Sequence, residues 1–206
     1  MSRILAIHPV DPQPRFIQQV VELLKKGGVI VYPTDTGYAF GWALDDKAAT
    51  DRVRRMRGLD DKHHFTLVCR DLSELATYAK VEDPAYRVLR AHTPGPYTFI
   101  LRATKEVPRR LLHEKRKTIG LRVPDNKIAQ ALLKEMAEPI QSTSLVLANA
   151  DELGADPQDI FEAVGHQVDL VIDGGFCGND ATTVVDLTDG VPVLVRRGAG
   201  DSTAFE

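Results

Sequence analysis

Fifteen residues, Gly27–Gly41 (GGVIVYPTDTGYAFG), set the terms for the rest of the chain. A glycine pair releases a β-branched and aromatic run, Val29–Tyr32, and Pro33 then breaks it. Val, Ile and Tyr suit the pleated surface of a sheet, and proline cannot donate to a sheet ladder, so the run reads as a short strand ending in a turn. That turn, Thr34-Asp35-Thr36-Gly37-Tyr38, gathers two hydroxyls and a carboxylate within three residues, ahead of a glycine that allows close backbone approach. In open α/β sheets ligands bind just outside the carboxyl ends of strands, where such groups are free to point at them. The plainer reading of the same residues is a polar, proline-initiated turn that joins two elements.

Around this stretch the hydrophobic pattern alternates between the helical and the extended repeat. Phe16, Ile17, Val20, Val21, Leu23 and Leu24 predict a helix over Pro14–Lys26, stopped by Gly27-Gly28. Tyr38–Trp42 reads as extended, and Asp45 or Asp46 can cap a second helix that runs through Met56. Phe65–Cys69 predicts a buried strand, and Asp71-Leu-Ser-Glu74 has the spacing of a capping box. Asp83-Pro84 opens a helix to about Ala91, which the HTPGP break separates from a strand at Tyr97–Ala103. A strand at Thr118–Val123, a helix carrying Ile128, Ala129, Leu132, Leu133 and Met136, a strand at Ile140–Leu145 and a helix from Asp156-Pro157 follow. The close is β-rich, with Val168–Ile172, Thr183–Leu187 and Val191–Val195. This alternation predicts an α/β fold: a single domain over residues 1–206, built on a twisted, open mixed sheet with flanking helices.

A chain of 206 residues can bury a substantial core, and 43% hydrophobic with 27% charged residues is ordinary for a globular protein in water. No apolar run reaches the length of a membrane span, so no membrane partner is expected. The first residues lack the apolar core of a signal peptide, and Cys69 and Cys177 make neither a disulfide framework nor a metal-spaced cluster. Cytoplasm is therefore the expected compartment. The net charge of −3 conceals a polarity, since residues 102–122 carry a local +6 and residues 151–206 a local −10. Arg52, Arg54, Arg55 and Arg57 form a further basic group. Basic clusters in a mildly acidic chain point to an anion site for nucleotide phosphates or RNA, although each Lys or Arg taken singly reads as solvated surface.

Absent motifs narrow the chemistry. There is no G-x-x-x-x-G-K-[ST], no G-x-G-x-x-G after a strand, no H-E-x-x-H, no G-x-S-x-G and no paired C-x-x-C. His63 and His64 are adjacent, but neighbouring side chains on a strand face opposite ways, so they read as surface or satisfied loop histidines and no metal site is expected. What remains lies beside turns: Thr34–Tyr38, Arg57, Thr98 after Pro94-Gly95-Pro96, Arg122, Ser142-Thr143-Ser144, Asp173-Gly174-Gly175, Thr182-Thr183 and Arg196. Guanidinium forks and hydroxyls of this kind fit a nucleotide beside a small acid on one sheet face.

With these motifs in view, the chain resembles the YrdC-like family of threonylcarbamoyl-AMP synthases, and most closely its YciO branch. The resemblance covers about residues 15–200 and rests on seven motifs in order. They are GGVIVYPTDTGYAFG, PGPYTFIL (Pro94–Leu101), IGLRVPDN (Ile119–Asn126), STSL (Ser142–Leu145), DGG (Asp173–Gly175), TTVVDLT (Thr182–Thr188) and VRRGAGD (Val195–Asp201). It implies a twisted sheet with a basic concave face, and condensation of L-threonine, bicarbonate and ATP, with Mg2+, into threonylcarbamoyl-adenylate and pyrophosphate. Binding of tRNA or double-stranded RNA is also implied, with Arg109, Arg110, Lys115, Arg116 and Lys117 as the basic stretch to carry it. By motif match Thr36 would bind threonine and Arg122 its carboxylate, with Tyr38 lining the pocket. Thr98, Ser142, Thr183 and Arg196 would lie along the ATP.

One departure bears on activity. The synthases carry a Lys-x-Arg…Ser-x-Asn catalytic tetrad; here Arg57 stands at the lysine position, Leu59 at the arginine position, Ser142 is kept, and Ser144 replaces asparagine. A planar fork in place of a point charge, and a lost arginine, both alter how phosphates are held. Two expectations therefore stand: a synthase-type enzyme, or a nucleotide- and RNA-binding protein of the same fold with reduced synthase chemistry. Arg55 is the nearest residue that could substitute for the missing arginine.

Overall fold

The computed structural model describes residues 3–147 and 153–206. Its first half runs β1 (Arg3–Ala6), α1 (Pro14–Lys25), β2 (Ile30–Pro33), β3 (Tyr38–Ala43), α2 (Lys47–Arg57), β4 (Thr66–Val68), α3 (Leu72–Tyr78), α4 (Asp83–His92) and β5 (Tyr97–Arg102). The second half runs β6 (Thr118–Arg122), α5 (Lys127–Met136), β7 (Ile140–Ser144), α6 (Pro157–Val164), β8 (Leu170–Asp173), β9 (Thr183–Asp186) and β10 (Val193–Arg196). All ten strands form one mixed sheet in the order β1-β8-β2-β3-β7-β4-β6-β5-β9-β10.

Local chemistry sets most boundaries. Pro14 opens α1, where a missing N–H costs nothing, and Ile17, Val20, Val21 and Leu24 form its buried stripe. Asp46 caps α2 by accepting from the Ala49 N–H at 2.9 Å, and Gly58 at φ 64° ends it. Asp71 caps α3 through the Glu74 N–H, and Asn126 caps α5 through the Ala129 N–H. Pro33 ends β2 beyond Val31, the last residue that pairs with β8, so its missing donor breaks no bond on that side. The first strand, β1, has no counterpart in the sequence expectations; four residues of mixed burial form it by pairing in parallel with β8.

Alternation along the strands sorts the side chains onto two faces. On one face Val31, Phe40 and Trp42 pack with residues of α2 and α6, while Leu67, Phe99, Leu101 and Leu121 pack with residues of α3 and α4. On the other, Ile30, Tyr32, Val68, Ile140, Leu170 and Ile172 pack with α1 and α5. Gly41, Thr66, Thr98, Gly120 and Ser142 share that second face by register but belong to none of the three apolar clusters. This uncovered part of the sheet is where the functional side chains gather.

The sheet is curled around it. β8 and β9 run in the same direction with six strands between them, so their connection must cross both the width and the length of the sheet. Ten Cα steps from Asp173 to Thr183 reach at most about 35 Å. Crossing a flat sheet at ~4.8 Å per strand would use nearly all of that reach sideways. The connection therefore spans the hollow of a coiled sheet as a chord, and on the way the Asp180 N–H donates to the Thr36 carbonyl at 2.9 Å.

Candidate functional site

A cavity of about 530 Å³ occupies this hollow. The turn after β2 forms its first wall. Thr34 folds the turn on itself, donating its hydroxyl to the Gly37 carbonyl at 2.6 Å and accepting from the Thr36 N–H at 3.2 Å. Gly37 sits at φ +147°, and a Cβ there would stand 2.6 Å from the Gly178 carbonyl oxygen, so the turn and the 174–182 connection meet only because this residue is glycine. From β6, Arg122 reaches the turn: its Nη2 donates to Thr36 Oγ1 at 3.0 Å and to the Asp35 carboxylate. Both partners of that ion pair are nearly buried, at 10% and 12% side-chain exposure, so the pair fixes the guanidinium rather than merely decorating the surface.

The far wall comes from β5, the connection and β10. Thr98 Oγ1 and Thr182 Oγ1 lie 2.9 Å apart, and Arg196 Nη2 donates to Thr182 Oγ1 at 2.9 Å while also holding the Thr182 carbonyl. Thr183 is placed differently from the sequence expectation. Fully buried, it donates its hydroxyl to the Gly200 carbonyl at 2.6 Å and accepts from the Gly198 N–H at 3.1 Å. One residue along an extended chain reverses the face, and Thr182 takes the cavity position.

At the near end stand Arg57, Ser142, Thr143 and Ser144. Ser142 Oγ donates to the Phe40 carbonyl and takes up the Tyr32 hydroxyl, each at 2.8 Å, so it is largely committed within the protein. Burial pushes that tyrosine up to about 12 and keeps it a neutral donor. Arg57 Nη1 bonds Thr143 Oγ1; burial alone pulls its pKa down, with no carboxylate opposing, which marks a cation held ready for an anion. Arg55 is exposed and outside the wall, so it does not replace the missing arginine, and Leu59 packs against the apolar cluster under α2. Tyr38 lines the cavity with its ring, while its hydroxyl donates to the Gly175 carbonyl at 2.7 Å and accepts from the Gly174 N–H, tying the DGG turn to the site. Three of the five buried polar atoms without a partner among the described residues are Asp35 Oδ2, Arg57 Nε and Arg122 Nε. Such deficits concentrate where binding rather than stability sets the design.

His63 and His64 keep the expected surface or loop placement, His63 half-buried and His64 exposed, and both also line the cavity. They precede β4 in an irregular segment, where alternation does not apply, and a strand beginning at Thr66 rather than Phe65 was the only available cue. The five basic residues Arg109, Arg110, Lys115, Arg116 and Lys117 are all exposed on the connection from β5 to β6, but two are engaged: Arg110 pairs with Asp45 at 2.5 Å and Arg116 with Asp186 at 2.7 Å. That connection touches the cavity rim where the His113 and His64 rings pack 5.4 Å apart. Among the described residues no three His, Cys, Asp or Glu side chains are placed to hold a metal ion. Among the described residues no helix is long and apolar enough to cross a membrane.

Comparison with known proteins gives the family and the fold of the chain. The Sua5/YciO/YrdC family model, described as telomere recombination, matches residues 22–198. The uncharacterized protein YciO of Escherichia coli strain K12 is 57% identical over 205 residues, covering the whole of both chains, and its crystal structure superposes with a TM-score of 0.94 over the full length of each. The threonylcarbamoyl-AMP synthase of Vibrio vulnificus is 29% identical over 161 residues, 77% of this chain and 86% of the synthase. The crystal structure of P. abyssi Sua5 complexed with L-threonine is similar at 26% identity and a TM-score of 0.83, covering 95% of this chain and 57% of Sua5.

Proposed function

The chain belongs to the Sua5/YciO/YrdC family, and from that membership we propose that its cavity is an adenylate-forming site of the threonylcarbamoyl-AMP synthase type. The observation that carries the reading is convergence: Thr36, Arg122, Arg57, Ser144, Thr98 and Arg196 come from six separate stretches of sequence and border one hollow. The Arg122–Thr36 corner suits the carboxylate of an amino acid, with Asp35 beside it for the amino group. The Thr98–Thr182–Arg196 wall and Arg57 suit the polar and charged parts of ATP.

In this reaction the amino nitrogen bonds to the carbon of bicarbonate with loss of water. The resulting carbamate oxygen then attacks the α-phosphorus, and the bond to pyrophosphate breaks. No side-chain nucleophile is required; the protein's task is to hold two anionic groups together and to stabilise charge as it develops on the phosphate. Arg57 is the cation placed for that charge, and Ser142, already bonded to Phe40 and Tyr32, acts by holding β7 and β3 in register.

The test is pyrophosphate release from ATP that depends on both L-threonine and bicarbonate. Thr36→Val and Arg122→Gln should each cut it by about tenfold to a hundredfold, given about 1.5–3 kcal/mol for each lost charge-assisted bond. Wild-type turnover in both folded variants would put the substrate elsewhere. A second reading, RNA binding with reduced synthase chemistry, is favoured by two features: the apolar Leu59 where the synthases carry arginine, and the exposed basic connection between β5 and β6. It requires that neutralising Arg109, Lys115 and Lys117 weaken RNA binding and flatten its salt dependence.

A further inference from the structure

Far from the turn after β2, the sheet ends in a strand edge that the fold leaves uncovered. β10 is the last strand in the order and, among the described residues, pairs with β9 alone. Within five residues this end of the chain carries Val191, Val193 and Val195, exposed at 71%, 56% and 56%. No other three large exposed apolar side chains among the described residues lie so close in sequence. Single exposed valines are ordinary, but three together on a free edge call for a partner.

The neighbouring strands fix which main-chain groups that edge presents. Thr183 and Leu187 donate their N–H groups to the Pro96 and Ile100 carbonyls at 3.0 and 2.9 Å, so these residues turn toward β5. The residues between them, Val184 and Asp186, then turn toward β10, and their partners Arg196 and Val193 bond back to β9. Leu194 is left with its N–H and carbonyl on the outer side, beside the Pro192 carbonyl. Pro192 brings no N–H, and the register shifts between Leu194 and Arg196, so the edge offers a short ladder and is no template for an arbitrary strand.

The edge does match itself. Turned end for end about Val193, the run Asp189–Arg197 exchanges Pro192 with Leu194, Val191 with Val195, and Asp189 with Arg197. We propose that β10 is a self-association surface, on which two copies of this chain pair antiparallel, edge to edge, centred on Val193. Each Leu194 N–H donates to the other copy's Pro192 carbonyl. The two Val193 side chains meet at the close, non-hydrogen-bonded position, and the other valines flank them. Asp189 of each copy lies toward Arg197 of the other. Their side chains are 77% and 71% exposed, and their bonds to Arg102 and Glu206 within the chain are surface ion pairs of little worth, so both can be shared. The contact is isologous and closes at two copies. It lies in the plane of the sheet, leaves each hollow open and does not rest on what the cavity binds. Two main-chain bonds and three valines from each copy fall short of the about 800 Å² per partner of a stable interface, so association is weak.

Sedimentation velocity of the full chain from about 10 µM to about 1 mM tests this, the range in which so small an interface should assemble. The expected result is monomer at the dilute end and a growing share of dimer toward the concentrated end. Val193→Asp sets two carboxylates face to face at an exposed position. It should raise the concentration of half-association by about tenfold or more and leave the urea midpoint of dilute protein unchanged. Asp189→Arg and Arg197→Asp should each raise that concentration, and the double variant should bring it back to within about twofold of the wild type. Monomer throughout the range would overturn the proposal. A dimer that Val193→Asp leaves intact would also overturn it, by placing the contact on another face. A double reversal that fails to recover association would overturn the antiparallel register.

Discussion

Replacing Thr182 by valine removes a hydroxyl that touches Thr98 and Arg196 on the cavity wall, whereas replacing Thr183 removes one that is sealed between Gly198 and Gly200. Thr182→Val should therefore weaken ATP binding and cost about 0.5–1.5 kcal/mol of stability, the net value of a typical hydrogen bond. Thr183→Val should cost about 1–3 kcal/mol of stability, because the Gly200 carbonyl, in a buried bond, and the Gly198 N–H lose their partner, and leave ATP affinity unchanged. Calorimetric binding and urea unfolding of the two variants separate the cases, and the reversed assignment would show that the wall is drawn one residue out of place. Arg57 and Arg122 illustrate the same dependence on surroundings. Arg122 is immobilised by Asp35 and Thr36, while among the described residues Arg57 bonds a threonine hydroxyl alone, so Arg57 is the guanidinium freer to follow a ligand.

The turn after β2 and the 174–182 connection act as one unit, joined by Asp180 N–H to the Thr36 carbonyl and by the contact at Gly37. Gly37→Val would place side-chain atoms against the Gly178 backbone at a positive φ that valine resists. Thermal unfolding should report a loss above about 1 kcal/mol, and threonine affinity should fall with it. Unchanged affinity would show that the two segments move independently. Most elements were legible from their periodicity: α1, α2 and α5 start and stop within a few residues of where caps and apolar stripes put them. The strand order was not, because β8 beside β2 and β9 beside β5 depend on long-range pairing that no local pattern encodes. Thr36, Arg122, Thr98 and Arg196 could be named because turns and motifs single them out. His63 and His64 could not, since an irregular segment carries no alternation from which a facing can be read.

Across the whole molecule, most of the cost of the site falls on charge. Two histidines held below their ordinary value make the unfolded chain the better proton acceptor as the medium is acidified, so stability is full above about pH 6.5 and falls as pH drops through that region. Denaturant midpoints at pH 7.5 and 5.5 check the sign. The central claim is that one curled sheet brings distant hydroxyls and guanidinium groups to a hollow that holds an adenine nucleotide beside a small amino acid. The most direct measurement is a crystal structure with a non-hydrolysable ATP analogue and L-threonine. The account predicts the amino-acid carboxylate on Arg122 and Thr36, with the nucleotide along Thr98, Thr182 and Arg196 and its outer phosphates toward Arg57. Either ligand bound outside that hollow would contradict it.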